Sequence, residues 1–407
     1  EKVIYDRKRL TISYLRFTLQ TVDKKYGIYG SKIMRSGKYI NQLKGELQYK
    51  AFMPNFLPFA IQSDDEFQTL LSRADLALGR LDGIAETLPD ADFFILMYIR
   101  KEATLSSQVE GTQATFADVL KAEAKVGDLE IRKDVDEILN YIKAMNYGLE
   151  RLKTFPLSLR LIKDIHKILL EGVRGEGKEP GEFRKSQNWI GGTSIQRASF
   201  VPSPPQEIMS LLDNFEKFLY DKSPMPILLK TGLLHTQFEN IHPFLDGNGR
   251  IGRLLITFYL CQQKILDKPL LYLSDFFKRY RQEYYDRLNA FHEKDDIEGW
   301  LRFFLEGVAV TAEQAVETSK KILKLRGDGL NKISSLGRST PKATLVFNSL
   351  FHTPLITIKD VERIAELKNP NALALVNKLV RLEILEETTG RKRNKVFAYR
   401  QYIKLFD

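Results

Sequence analysis

From about residue 64 to residue 325, apolar side chains recur three and four positions apart with almost no interruption. A chain patterned this way buries its apolar stripes by packing helix against helix. In "DADFFILMYIRKEATLSSQVEG", Phe94, Tyr98, Leu105 and Val109 recur at helical spacing, and Gly111 is placed to end the helix. Further helices are predicted at about 129–153, 157–172, 205–222, 227–241, 249–263, 274–292 and 296–325. The fold class is therefore mainly α. One segment breaks the rhythm: "FRKSQNWIGGTSIQRASFVPSPP", from Phe183 to Pro205, where a Gly-Gly pair between β-favouring residues predicts a hairpin or flap. Residues 1–63 read as a mixed N-terminal extension, with strand-like alternation in "LQYKAFMP". Residues 64–125 form an N-terminal helical region and 126–325 a helical core. The Gly/Ser-bearing stretch 326–340 is expected to be a linker before a compact unit at 341–407.

A length of 407 residues implies two or three domains, and 43% hydrophobic with 28% charged residues is the composition of a soluble globular protein. The longest apolar runs, "FFILMYI" and "LLITFYLC", fall far short of a membrane span, and no membrane partner is expected. The first thirty residues are basic and hydroxyl-bearing like a transit peptide, but Glu1, Asp6 and Asp23 count against that reading. A lone cysteine, Cys261, excludes an internal disulfide and a cysteine metal cluster and makes a reducing cytoplasm the expected location. The net charge of +10 suggests an anionic partner: nucleotide, nucleic acid or an acidic protein face.

The densest chemistry lies in "IHPFLDGNGRIGR", Ile241 to Arg253. Pro243 ends the preceding helix and leaves His242 at its end, facing a cleft. Gly247 and Gly249 permit left-handed backbone angles, so that consecutive N–H groups point to one side. A helix beginning near Gly249 then aims its free amides and positive dipole end into the same space. Arg250 and Arg253, three apart, share a face. Together these groups make an anion site suited to several phosphates. Asp246 at its rim is placed to hold a divalent cation, and His242 to take a proton from a hydroxyl. "DGNGR" also mimics the start of a calcium loop, but Ile251 stands at the sixth position and Thr257 at the twelfth, where that loop needs Gly and Glu.

The stretch resembles the signature of Fic-domain proteins at every fixed position: His242, Pro243, Phe244, Asp246, Gly247, Asn248, Gly249, Arg250 and Arg253. The resemblance extends through "LLHTQFEN" and "PGEFRKSQNWIGG" and covers about residues 40–325. It implies a Fic helical fold with a β-hairpin flap. It also implies transfer of AMP from ATP to a Ser, Thr or Tyr hydroxyl of a target protein. His242 would be the general base and Asp246 the Mg²⁺ ligand. Asn248 and the Gly247 and Gly249 amides would cradle the α-phosphate, with Arg250 and Arg253 on the outer phosphates. Asn188, Trp189, Ile190, Gly191 and Gly192 correspond to the flap that pairs with an extended stretch of the target. Tyr284 and Tyr285 fall in a region that tends to lie near the adenine, although as helix residues they fit a core equally well.

A second match lies in "SSQVEGT", where Ser106, Glu110 and Gly111 fit the inhibitory pattern of those Fic proteins, the class II members, whose brake precedes the motif. Ser106 and Glu110 are one turn apart, so the hydroxyl is expected to steady the carboxylate. Glu110 is expected to pair with Arg253 and so deny the γ-phosphate its clamp. The resemblance leaves open whether Glu110 serves as a brake, helps remove AMP from targets, or both. It also leaves room for a donor other than ATP and for self-modification.

The unit at 341–407 has the element order of a winged helix-turn-helix, with "GRKRNK" where a wing tip would be. Residues 338–407 carry thirteen Lys and Arg against seven Asp and Glu. A basic wing suits DNA phosphates. Its presumed recognition helix, "NPNALALVNKLVRLE", is poor in base-reading side chains, and such units also join proteins, including two copies of one chain. A DNA-binding regulator with a nucleotide-sensing Fic domain is the rival reading, against which the intact His242, Asp246 and arginines count.

Overall fold

A hairpin opens the computed structural model, which describes residues 34–87, 91–124 and 133–406. The first 33 residues, and with them the transit-peptide question, lie outside the described residues. Strands β1 (Gly37–Gln42) and β2 (Tyr49–Pro54) pair antiparallel, with Gly37 opposite Pro54 and Gln42 opposite Tyr49. The alternation in "LQYKAFMP" predicts β2; its partner β1 carries no comparable apolar alternation.

The helices follow in chain order: α1 (Asp65–Thr87), α2 (Ala91–Val109), α3 (Phe116–Glu123), α4 (Lys133–Leu152), α5 (Leu159–Leu169), α6 (Ile208–Leu219), α7 (Ile227–Ile241) and α8 (Asn248–Gln262). Then come α9 (Ser274–Arg279), α10 (Arg281–Lys294) and α11 (Ile297–Ser334). Side-chain caps start several of them: Thr115 and Asp118 form a capping box at α3, and the Ser158 hydroxyl accepts from Leu161 N–H at α5. The predicted helix over 274–292 is two, broken at Tyr280, whose φ of −107° and ψ of 40° leave the helical region.

At the centre stand α7 and α8. Nearly every residue of α7, from Leu228 to Ile241, is buried, so this helix is covered on all sides. Trp300 of α11 is fully buried against it and donates from Nε1 to the Gly232 carbonyl at 2.9 Å. The loop between α7 and α8 is "HPFLDG", so the two most enclosed helices of the described residues hold the motif between them.

The stretch expected to be a linker over 326–340 is helix for most of its length. α11 runs through Gly327 and Gly329 to Ser334, and only a short 3-10 turn at Gly337–Ser339 separates it from α12 (Thr340–Ser349). Gly329 is there for proximity: a Cβ would stand 2.2 Å from the Phe347 ring of α12. The remaining elements are β3 (Leu355–Thr357), α13 (Ile358–Ala365), α14 (Asn369–Arg381), β4 (Glu386–Glu387), β5 (Val396–Ala398) and α15 (Arg400–Ile403). The three strands form an antiparallel sheet in the order β3-β5-β4. All the described residues belong to one compact unit that starts at Met34. Among them no helix is long and apolar enough to cross a membrane.

Candidate active site

His242 caps α7 in the left-handed region, at φ 50° and ψ 58°, with its N–H bonded to the Phe238 carbonyl. A non-glycine residue held there marks a backbone that its surroundings over-determine. The surroundings are visible. Buried Arg184 donates from Nε to the His242 carbonyl at 2.8 Å, and from Nη2 to the carbonyls of Ile241 and Ser203. His166 lies flat on Phe244, with ring centroids 3.7 Å apart and an 8° tilt. Its Nδ1 accepts from Gly181 N–H at 2.8 Å, so Nε2 carries the proton and donates to the Asp246 carbonyl at 2.9 Å. Asn248 closes the loop from within: its side chain accepts from Phe244 N–H and donates to the Phe244 carbonyl, both at 2.8 Å.

The His242 ring is 15% exposed, and burial together with the Arg184 charge pushes its pKa down to about 4. It is neutral at physiological pH. Nδ1 lies 3.3 Å from the Glu239 carbonyl and donates to it, which leaves Nε2 without a proton.

Gly247 turns the chain at φ 77°, and α8 begins at Asn248. The first amides of a helix have no intrahelical partner. Gly249 is helical rather than left-handed, and its missing side chain serves another end: a Cβ would stand 2.2 Å from Glu110 Oε1. The Glu110 carboxylate therefore sits over the first turn of α8, where a phosphate would be drawn. Oε1 accepts from Arg253 Nη2 at 2.7 Å. Burial raises the Glu110 pKa, but Arg253, by charge and hydrogen bond, and Arg250 outweigh it and hold the carboxyl below its usual range.

Ser106 does not steady the carboxylate as expected. Its hydroxyl accepts from Arg253 Nε at 2.8 Å and its carbonyl from Nη2 at 3.0 Å, so Ser106 fixes the arginine while Glu110 neutralises it. Gly111, at φ 98°, ends the turn that carries Glu110. Arg250 is 2% exposed and lies 3.8 Å from Glu137 and 3.5 Å from Asp246, yet its buried Nε and Nη1 have no hydrogen-bond partner. Such donors can take a phosphate oxygen without first breaking another hydrogen bond.

Residues 156–260 match the Fic/DOC family model, and residues 68–150 match the model described as Fic/DOC family N-terminal. The chain contains a Fic domain. It is 33% identical over 191 residues to Protein adenylyltransferase Fic of Aedes aegypti, covering 44% of this chain and 35% of that one. It is 30% identical over 181 residues to a probable protein adenylyltransferase of Aquifex aeolicus, covering 42% of this chain and 51% of that one. The chain thus spans between a third and a half of the length of these relatives. A Fic family protein from Desulfovibrio desulfuricans G20 shares the fold at a TM-score of 0.55 and 18% identity, covering 83% of this chain and 97% of that one.

Beside the Fic motif, the expected flap doubles back through a single antiparallel bridge between Ile190 and Phe200. Gly191 and Gly192 make the turn at φ 68° and 71°. Asn188 ties it to the motif loop by donating to the Phe244 carbonyl at 2.9 Å. Trp189 and Ile190 point apolar surface outward, 45% and 38% exposed. On its far side the segment pairs with the N-terminal hairpin, Phe52 N–H bonding to Val201 carbonyl at 2.9 Å.

The two tyrosines part company. Tyr284 is core: its hydroxyl meets His235 Nε2 at 2.9 Å, and its ring stacks on Phe277 at 4.5 Å. Consecutive helix residues point about 100° apart, so only Tyr285 is left partly exposed, with Arg281 over its ring at 5.3 Å. Tyr284→Phe is expected to cost about 1 kcal/mol of stability by orphaning His235. Adenine-nucleotide affinity should not change; a tenfold weaker Kd with an unchanged melting temperature would return Tyr284 to the adenine pocket.

His166 and Arg184 act on the Fic motif but were missed, because both reach it through backbone carbonyls and neither sits in a motif of its own. Arg281 was missed for the same reason; it donates from Nε to the Val109 carbonyl at the end of α2, at 2.9 Å. Burial also depresses His166 to about 4, His235 to about 3 and His292 to about 4. With His242, four histidines stay neutral when folded but titrate near 6.5 when unfolded. The unfolded chain therefore binds more protons between about pH 6.5 and 4, and stability falls as pH drops through that window. Glu102 and Glu239, both raised by burial, oppose the trend but are two against four. Denaturant midpoints from pH 7.5 to 4.5 should decline; a flat series would contradict the buried neutral rings.

Proposed function

We propose that the chain is a protein adenylyltransferase, moving AMP from ATP to the hydroxyl of a Ser, Thr or Tyr side chain on a target protein and inhibited in cis by Glu110, as in class II members. The observation that supports this best is the juxtaposition of a neutral His242 with a helix start flanked by two buried arginines, one of them with idle donors. The target hydroxyl attacks the α-phosphorus, an O–P bond forms, and the bond to the β-phosphate oxygen breaks. The hydroxyl proton passes to His242 Nε2 and pyrophosphate leaves. The amides of Asn248 and Gly249 would face the α-phosphate, with Arg250 and Arg253 on the outer phosphates, while the Gly247 amide donates to Asp246 Oδ1 at 2.6 Å. The Asn248 side chain is committed to the loop, so its contribution would come from its amide.

Asp246 suits Mg²⁺, which commonly takes one or two carboxylates plus substrate phosphates. The nucleotide phosphates would supply further ligands. Gly175 keeps space open beside the carboxylate; a Cβ there would stand 3.1 Å from Asp246 Oδ2. When bound, Mg²⁺ would neutralise phosphate charge.

Trp189 and Ile190 would receive an extended target segment by strand addition. Self-modification of an exposed hydroxyl is a cheap first signal. The same geometry would let Glu110 orient water for AMP removal. Residues 341–407 are proposed as a winged-helix unit in contact with protein rather than DNA. The wing offers exposed Arg391, Lys392, Arg393 and Lys395, but α14 turns Leu373 and Val380 outward.

The test is incubation with ATP labelled at the α- or the γ-phosphate. Only the α-label should reach protein. Transfer of the γ-label would indicate phosphoryl transfer, and no transfer by a Glu110→Gly variant would refute the reading. Loss of label on re-incubation of labelled protein would favour AMP removal.

A further inference from the structure

Glu110 follows α2 directly, and the other half of that helix is gripped by the C-terminal elements. Arg100 Nη1 donates to the His352 carbonyl at 3.1 Å, while its Nε pairs with Glu123 of α3 at 2.5 Å. Tyr98 meets Phe406 edge-on, with centroids 5.1 Å apart. Phe406 is 2% exposed and stands edge-on to Tyr402 at 5.4 Å, so it plugs α2 into the core of its own unit. Phe116 of α3 lies on its other side at 6.3 Å.

Glu110 lies ten positions beyond Arg100, about 15 Å along the axis, and α2 is unbroken to Val109. A helix moved at one end carries its other end with it. The Glu110 end is held by different partners: by Arg253 on Glu110 and on Ser106, by Arg281 on the Val109 carbonyl, and by Lys278 Nζ on Gln108 Oε1 at 2.5 Å.

We propose that the C-terminal unit is the restraint that holds α2 in its inhibitory position, so that a protein partner displacing this unit from Tyr98 and Arg100 releases the active site. The inference rests on the reading of Glu110 as an inhibitor. The element with two positions is α2, and the C-terminal contacts bias it from outside the nucleotide site.

The test uses the full chain as Phe406→Ala, as Arg100→Gln and as Glu110→Gly, with two readouts. The first is α-label transferred from ATP; the second is backbone hydrogen exchange over residues 103–110, with α7 as the control for intact folding. Phe406→Ala and Arg100→Gln should each speed exchange in 103–110 while α7 stays protected, and each should raise labelling by about fivefold or more. Should Phe406→Ala unfold α7, Arg100→Gln decides. Unchanged exchange and labelling in a folded variant, with Glu110→Gly labelling strongly, overturns the restraint and leaves the transferase reading standing. Failure of Glu110→Gly to label overturns the transferase reading, and the exchange data then still decide whether the C-terminal unit holds α2.

Discussion

His242→Ala, placed in a chain that already carries Glu110→Gly, is expected to lower AMP transfer by about 10²–10⁴-fold, the usual worth of a positioned general base. The ring is largely enclosed, neutral and oriented by the Glu239 carbonyl, so its free Nε2 is set to take the hydroxyl proton. Nucleotide affinity should survive, because the α8 amides and the arginines are untouched. With a pKa near 4, the base is deprotonated over the whole neutral range, so the transfer rate should hold level down to about pH 5 and fall only below it. Removing Glu110 takes away a charge that raises this pKa, so the acid limb should move further down. A loss under tenfold in initial labelling rate would assign the base to another group.

Glu110→Gly alone is expected to raise transfer by about 10- to 100-fold over the parent. The carboxylate lies over the first turn of α8 and occupies Arg253 Nη2 at 2.7 Å, so it takes both a phosphate's space and its counter-charge. Glu110→Gln separates the two effects. The amide keeps the shape and one hydrogen bond to Arg253 but gives up the charge, so a rise smaller than that of the glycine variant is expected. Labelling of the parent as strong as that of Glu110→Gly would mean that the pair does not inhibit.

Much of this site can be read from residues in order. The chain from His242 to Arg253 concentrates its functional groups in one loop and one helix start, where spacing translates directly into geometry. The pairing of Glu110 with Arg253 is legible only because the family resemblance links two distant segments. Contacts made through backbone carbonyls, as by His166, Arg184 and Arg281, leave no pattern of side-chain types to read. The predicted linker over 326–340 failed for a related reason. Gly329 looks like a helix breaker, and the Phe347 ring that requires its small size lies on another helix. Tyr284 and Tyr285 are identical in sequence terms and differ only in which side of α10 meets His235.

The unbroken α11 has a consequence for how a target would be chosen. A module on a flexible tether sweeps a volume and raises the local concentration of whatever it holds, at any bearing. Here the C-terminal unit continues from a 38-residue helix, so while it rests on α2 a protein bound to it would be held at one distance and one angle. A protein held by that unit would offer His242 a narrow arc of its own surface, so selection among many hydroxyls would be decided by trigonometry before any side chain of the flap is consulted.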